Sequence, residues 1–189
     1  MRNFKFLNSR FNMQDLSLHI LDIAENGIRA GATLIEIDIS EDIGKDTLQI
    51  CIKDNGHGMD AEMLRRATDP FVTTRTTRRV GMGLPLLKQA AEETGGDLLI
   101  TSELGKGTRV VATFRKSHID RRPLGDMGAT LTTLIMGNPD LDFRYASNLH
   151  EKEVEVDTRS IRKELNGVMT INNPAVIALI RDLFNKGED

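Results

Sequence analysis

The chain has 189 residues, 39% of them hydrophobic and 28% charged, with a net charge of −3. That length allows one full core with a smaller appendage, and the slight acidity removes any global bias toward nucleic acid. Seven Phe, one Tyr and no Trp offer no base-stacking platform, no apolar run could span a bilayer, and the single Cys51 cannot form an internal disulfide.

The first fourteen residues, MRNFKFLNSRFNMQ, are basic but lack a continuous apolar stretch. They read as a loosely ordered leader rather than a secretory signal, so the expected compartment is the cytoplasm. Residues 15–30, DLSLHILDIAENGIRA, are apolar nearly all round. At about 100° per residue the polar positions His19, Asp22, Asn26 and Arg29 gather on one side, with Glu25 at the edge. Asp22 and Asn26 are one turn apart and point the same way.

TLIEIDIS and TLQICIKD alternate apolar and polar residues and read as half-buried strands. Cys51 in the second of them is expected to be a buried small residue. Residues 60–69 suggest a short helix with Asp60 as its N-cap. Residues 70–83 are polar, basic and end in glycine, which predicts a mobile loop. LPLLKQAAEET reads as a helix with Pro85 near its start and Gly95 and Gly96 at its end. DLLITSE and TRVVATFR are expected as strands around the turn LGKG. The composition shifts after Arg115. A polar connector follows, then a short helix over 126–136, a hairpin from LDFRYAS and KEVEVD, a helix from DTRSIRKEL, and a last helix with Asn173 as cap, Pro174 first and Gly187 after its end.

Four stretches could carry chemistry. DNGHGM ends the second strand; its aspartate could accept from an exocyclic amine, and Gly56 and Gly58 would let a ring approach the backbone. Standing alone it also reads as an ordinary turn. GMGLPLL puts glycines directly before a helix, where free amides bind phosphate oxygens, yet such loops are common. ELGKGTRVVATF reads equally as a plain hairpin, and the helix carrying Asp22 and Asn26 is the fourth stretch.

In this order, the four stretches together resemble the GHKL superfamily of ATP-binding domains: gyrase-type topoisomerases, heat-shock chaperones, histidine kinases and MutL. AENGIRAGATLIEIDI is similar to the MutL-type helix and strand, and DNGHGM to the first glycine box. DPFVTTR resembles the phenylalanine box of histidine kinases, GMGLPLL their second glycine box and SELGKGTRV the late Gly-Thr turn. The resemblance covers about residues 15–115.

The resemblance implies roles. Asp54 would bond the adenine amine, Thr108 would support it, and Gly56 and Gly58 would shape the pocket. Asn26 would hold Mg²⁺ through its side-chain oxygen. Gly81, Gly83 and Leu84 would hold phosphates through their amides, under a lid formed by residues 70–83. Arg75 falls where kinases place a cation near the terminal phosphate, and reads equally as a solvated lid charge. In the MutL and gyrase branches the water-activating glutamate lies four residues before the asparagine. That position here is Asp22, one methylene shorter, while Glu25 is expected to be solvated or paired with Arg29. His19 is expected to be a satisfied helix residue, and His57 to face solvent.

These readings predict a two-layer α/β sandwich: a mixed, mostly antiparallel sheet with helices on one face. The expected organisation is a leader over 1–14, an ATP-binding domain over 15–116 and a small α+β extension over 117–189. The segment before the first helix is too short for the phosphoacceptor helix pair of a histidine kinase, and the extension is too short for the transducer of MutL and gyrase. The expected function is a stand-alone Mg·ATP-dependent ATPase or protein kinase in signalling, planned like anti-sigma-factor kinases. The alternative is a nucleotide-sensing regulator that binds ATP without turnover and recruits a protein partner. A nucleic-acid module ranks well behind, no membrane is expected, and oligomeric state, a homodimer included, stays open.

Overall fold

A computed structural model describes residues 15–69, 83–150 and 152–185. The expected leader, Arg75, Gly81, most of the expected lid and Gly187 lie outside these residues.

The elements follow the chain as α1 (Leu16–Arg29), β1 (Leu34–Asp42), β2 (Thr47–Asp54), α2 (Ala61–Arg66), α3 (Gly83–Glu92), β3 (Asp97–Glu103), β4 (Gly107–Arg115), α4 (Met127–Gly137), β5 (Asp142–Leu149), β6 (Lys152–Asp157), α5 (Thr158–Leu165) and α6 (Pro174–Asn185). One six-stranded sheet has the order β3-β4-β2-β1-β5-β6. Only the β1–β5 pair is parallel, so the sheet is mixed and mostly antiparallel.

The alternation seen in the sequence becomes a two-faced sheet. Ile35, Ile37 and Ile39 of β1, Leu48, Ile50 and Ile52 of β2, and Val110, Ala112 and Phe114 of β4 point to one face and are buried there. Helices α1, α3, α4 and α6 cover that face and contribute to one contiguous core. On the opposite face Lys53 bonds Glu36 at 2.8 Å and Arg144 bonds Asp38 at 2.8 Å. Cys51 sits buried among these charges, and burial pushes its thiol up from the ordinary value, so it is a packed residue and a poor nucleophile.

The C-terminal α+β extension prolongs both layers. β5 lies beside β1 with Phe143 opposite Ile35 and Tyr145 opposite Ile37. Phe143 and Tyr145 are fully enclosed, and the Tyr145 ring meets Phe184 of α6 at 5.0 Å. Each such side chain contributes about 1.5–3 kcal/mol through its removal from water.

A connector over 116–126 ties this extension to α1. The first two amides of α1 are satisfied by connector carbonyls, Leu16 N by Pro123 O at 3.0 Å and Ser17 N by Leu124 O at 2.8 Å. This replaces the missing side-chain cap at Asp15. Arg122 donates to His19 Nε2 at 2.9 Å. His19 is fully buried, off the exposed face of α1, and does not stand in a polar stripe as its spacing suggested. Burial, reinforced by the Arg122 charge, lowers its pKa from 6.5 to about 4.

That shift has a consequence for stability. A base with a depressed folded-state pKa binds fewer protons folded than unfolded below pH 6.5, so its contribution is intact above pH 6.5 and is lost as pH falls toward 4. The size is about 3 kcal/mol. The lowered carboxylates Glu41, Asp42, Asp46 and Asp157 act only below their ordinary values of 3.8 to 4.5. Urea melts between pH 7 and 4.5 should therefore show a stability loss in wild type that is largely absent in His19→Asn. Parallel pH profiles for the two proteins would count against the assignment.

Candidate functional site

Asp54 closes β2, opposite Thr108 of β4. Burial pushes its carboxyl above the usual range, against the pull of the Gly56 and Thr108 amides and of His57. The Gly56 amide reaches Asp54 Oδ1 at 2.8 Å. Asn55 fixes the turn from outside: its Oδ1 accepts from Thr33 N at 2.8 Å and Leu34 N at 3.0 Å, and its Nδ2 donates to Thr33 Oγ1 at 2.9 Å. The turn is thereby clamped to the start of β1, and Asp54 is held at the sheet's end.

Gly58 and Gly107 meet beside it. Gly58 has φ +69°, and a Cβ there would fall 2.1 Å from Glu103 O. Gly107 has φ +89°, and its Cβ would fall 2.0 Å from Asp54 O. Both positions need a left-handed backbone and a close approach, so both need glycine. Ser102 completes the corner. Its Oγ accepts from Met59 N at 2.8 Å, donates to Gly107 O at 2.9 Å and lies 2.9 Å from Thr108 Oγ1. Sequence reasoning passed over Ser102, although the LGKG hairpin register places it directly across from Thr108. His57 is exposed, with Nδ1 2.6 Å from Gly58 O.

Helix α1 runs past this corner to α3. A Cβ on Gly27 would lie 2.7 Å from both Asp54 Cβ and Ile35 Cδ1, so α1 rests directly on Asp54. A Cβ on Gly83, the first residue of α3, would lie 2.1 Å from Asp22 Oδ2. Asp22 therefore reaches the head of α3, where Leu84 packs against the core. Gly27 and Asp22 are five residues apart, which sets these two ends of the site about 7.5 Å apart along the helix axis.

Asp22 and Asn26 are both half-buried on that helix, while Glu25 is exposed. Glu25 pairs with Arg29 at 3.3 Å, as its spacing suggested. Arg29 also donates to Asn26 Oδ1. Among the described residues no cluster of three or more His, Cys, Asp or Glu could hold a metal alone. The amide oxygen of Asn26, the atom expected to face a cation, is thus held by Arg29, and a metal taking its other ligands from phosphates and water would have to displace that donor.

Gly27→Ala tests the contact between α1 and Asp54. In an ordinary helix this change stabilises by about 1 kcal/mol. Here the new methyl overlaps Asp54 and Ile35, and overpacking of this kind costs about 1–3 kcal/mol. We expect a net loss in urea denaturation; a full 1 kcal/mol gain would show that α1 does not rest on Asp54.

A helix-covered sheet thus carries a carboxyl at a glycine-lined strand end and a glycine-headed helix beyond it. The chain belongs to the histidine kinase-, DNA gyrase B- and HSP90-like ATPase family, which matches it over residues 12–118. It is 34% identical over 111 residues to a putative sensor protein of Shewanella frigidimarina, a match covering 57% of this chain and 17% of that protein. It is 31% identical over 111 residues to a putative sensor histidine kinase, NtrY-like, of Rickettsia typhi, covering 59% and 18%. Sporulation kinase E of Bacillus subtilis is 35% identical over 82 residues, covering 42% and 11%. The matched region thus spans less than a fifth of these relatives. A solved structure described as the N-terminal domain of a DNA repair protein superposes with a TM-score of 0.54 at 18% identity, covering 79% of this chain and 54% of that one, and supports the shared fold. No described helix is long and apolar enough to cross a membrane.

Proposed function

We propose that the chain acts as a Mg·ATP-dependent ATPase or protein kinase in regulation, with a site planned like that of anti-sigma-factor kinases. The observation that carries this reading is the course of α1, which touches Asp54 at Gly27 and the head of α3 at Asp22. One rigid helix thereby relates a base-binding corner to a phosphate-binding helix start. Asp54 accepts the adenine amine beside Thr108, and the corner glycines admit the ring. Gly81, Gly83 and Leu84 offer backbone amides to the phosphates, with Arg75 as a further cation. Asn26 would offer its side-chain oxygen to Mg²⁺ on release from Arg29, and the metal would supply neutralisation of phosphate charge. Asp22, on the same face, accepts the proton of the attacking water or protein hydroxyl. Two of the relatives above are named as kinases, which agrees with phosphoryl transfer.

A second reading is favoured by one departure. The acid at position 22 is aspartate where the hydrolytic branches of the family carry glutamate, and a shorfall of about 1 Å can cost roughly 10²-fold in rate. The chain would then sense nucleotide and recruit a protein partner without turnover. Incubation with γ-labelled ATP, with and without cell lysate, separates the two. Label appearing in inorganic phosphate or on a protein supports the enzyme. Bound label that stays ATP in both conditions replaces it with the sensor.

A further inference from the structure

We propose that the outer edge of β6, roofed by α6, is a docking site for an extended segment of a partner protein whose side chains alternate between basic and apolar.

β6 ends the six-stranded sheet, and among the described residues no strand pairs with its outer side. Backbone groups along that side can pair with an added strand over roughly 20 Å. The two faces of the edge differ. Register sets Glu153 opposite Asn148 and Glu155 opposite Ala146, and Ala146 opposite Asp38 of β1. Glu153 and Glu155 therefore stand on the sheet's charged face. Val154 and Val156 stand on the helix-covered face, where Val156 is buried and Val154 only half-buried.

Helix α6 overhangs this edge. Its Phe184 ring points inward to Tyr145 of β5, and a Cβ on Gly128 of α4 would lie 3.2 Å from it. Arg181 likewise turns to Asp126 at the start of α4, at 3.6 Å. Val176 and Ile180 are buried and face the sheet, where α6 packs on β6. Leu179 and Leu183 fall about 150° round the helix from the Arg181 and Phe184 flank. They project past β6 and are 67% and 41% exposed. The edge thus has an apolar roof of Leu179, Leu183 and Val154, and two glutamates beneath.

The charge on the lower face selects the occupant. Asp157 is neutralised by Arg159, with Nε at 3.0 Å and Nη2 at 2.7 Å. Glu155 faces Arg144 at 3.7 Å, but Asp38 holds that guanidinium closer, at 2.8 Å. Glu153 has no ion pair among the described residues. A second β6 laid alongside would bring these acids against their own copies, which is destabilising. A strand with Lys or Arg beside Glu153 and Glu155, and apolar residues between them, matches both faces at once.

The test uses the full chain and labelled synthetic peptides of three kinds: lysine alternating with valine, the same residues in two blocks, and glutamate alternating with valine. Fluorescence anisotropy should show the first bound at least about tenfold more tightly than the others. Glu153→Lys with Glu155→Lys should reverse the choice in favour of the glutamate peptide. Leu179→Ser with Leu183→Ser should weaken the alternating lysine peptide about tenfold without lowering the melt, since both side chains are exposed. Hydrogen exchange should show new protection at amides of residues 152–157 when that peptide binds. No binding, equal binding of the block peptide, or indifference to both pairs of substitutions would overturn the proposal. A wild-type dimer that the serine changes dissociate would give the edge to a second copy and overturn it too. So would β6 amides already fully protected in the free monomer, where the chain itself would cover them. None of these outcomes bears on the nucleotide reading.

Discussion

Asp22→Asn is expected to lower ATP turnover by about 10²–10⁴-fold while leaving affinity for ATP in magnesium nearly intact. The side chain keeps its size and loses its ability to take a proton. Two acids compete for the proposed role, and their surroundings on α1 differ. Asp22 is half-buried, shares a face with Asn26 and lies against Gly83. Glu25 is exposed and held by Arg29 at 3.3 Å. Glu25→Gln should accordingly change neither binding nor turnover by more than a small factor. Asn26→Ala should instead weaken binding in magnesium, because it removes the oxygen proposed to hold the metal. Asp22→Glu is the most informative change. If reach limits the wild-type acid, the longer side chain should raise hydrolysis. It must fit beside Gly83, however, where the aspartate is already close. Assays of labelled phosphate release across these variants check the ranking. Persistent turnover in Asp22→Asn, with Glu25→Gln inactive, would transfer the role to Glu25.

The elements themselves were legible because each carried a local signal. β3 and β6 fall where the alternating runs DLLITSE and KEVEVD place them, and Asp60 caps α2 by accepting from Met63 N at 2.8 Å. What the sequence did not disclose was non-local. The parallel pairing of β1 with β5 joins residues more than a hundred positions apart, and nothing in either strand specifies that neighbour. His19 shows the same limit. It was expected as a satisfied helix residue; the distant connector covers it and Arg122 serves its Nε2, while its buried Nδ1 has no hydrogen-bond partner among the described residues.

The site divides along the same line. The residue types at Asp54, Gly56, Gly58 and Thr108 carried the resemblance, and the structure places Asp54, Gly56 and Thr108 within one corner. Ser102 and Gly27 entered only with tertiary contacts, as did the close approach of Gly107, part of the Gly-Thr turn, to Asp54. Their importance lies in what presses against them, which one chain read in order does not show. Arg29 is a further case: its donation to Asn26 Oδ1 depends on the side-chain direction along α1, and spacing alone also allowed it to serve Glu25.

Asp54→Asn should weaken ATP binding at least roughly tenfold, since a hydrogen bond involving a charged group contributes about 1.5–3 kcal/mol. The environment makes Asp54 suited to an amine donor. Burial raises its pKa, so the ionised carboxyl gains from a partner that restores part of the lost hydration. The same shift separates binding from folding. A carboxyl with a raised folded-state pKa stabilises the fold fully only below the unfolded value of 3.8, and that contribution is lost as pH rises through the folded value. At neutral pH the asparagine variant should therefore be at least as stable as wild type, its Oδ1 still accepting from Gly56 N. Weak ATP binding in a protein that melts normally then reports the lost contact rather than a damaged fold. Nucleotide choice gives a second reading. GTP presents a carbonyl where adenine presents its amine, and an acceptor facing the Asp54 carboxylate is repelled. An asparagine can turn its amide nitrogen to that carbonyl, so the gap between ATP and GTP should narrow in the variant. Titration calorimetry of wild type with both nucleotides is the direct check, and equal affinities would remove Asp54 from base recognition.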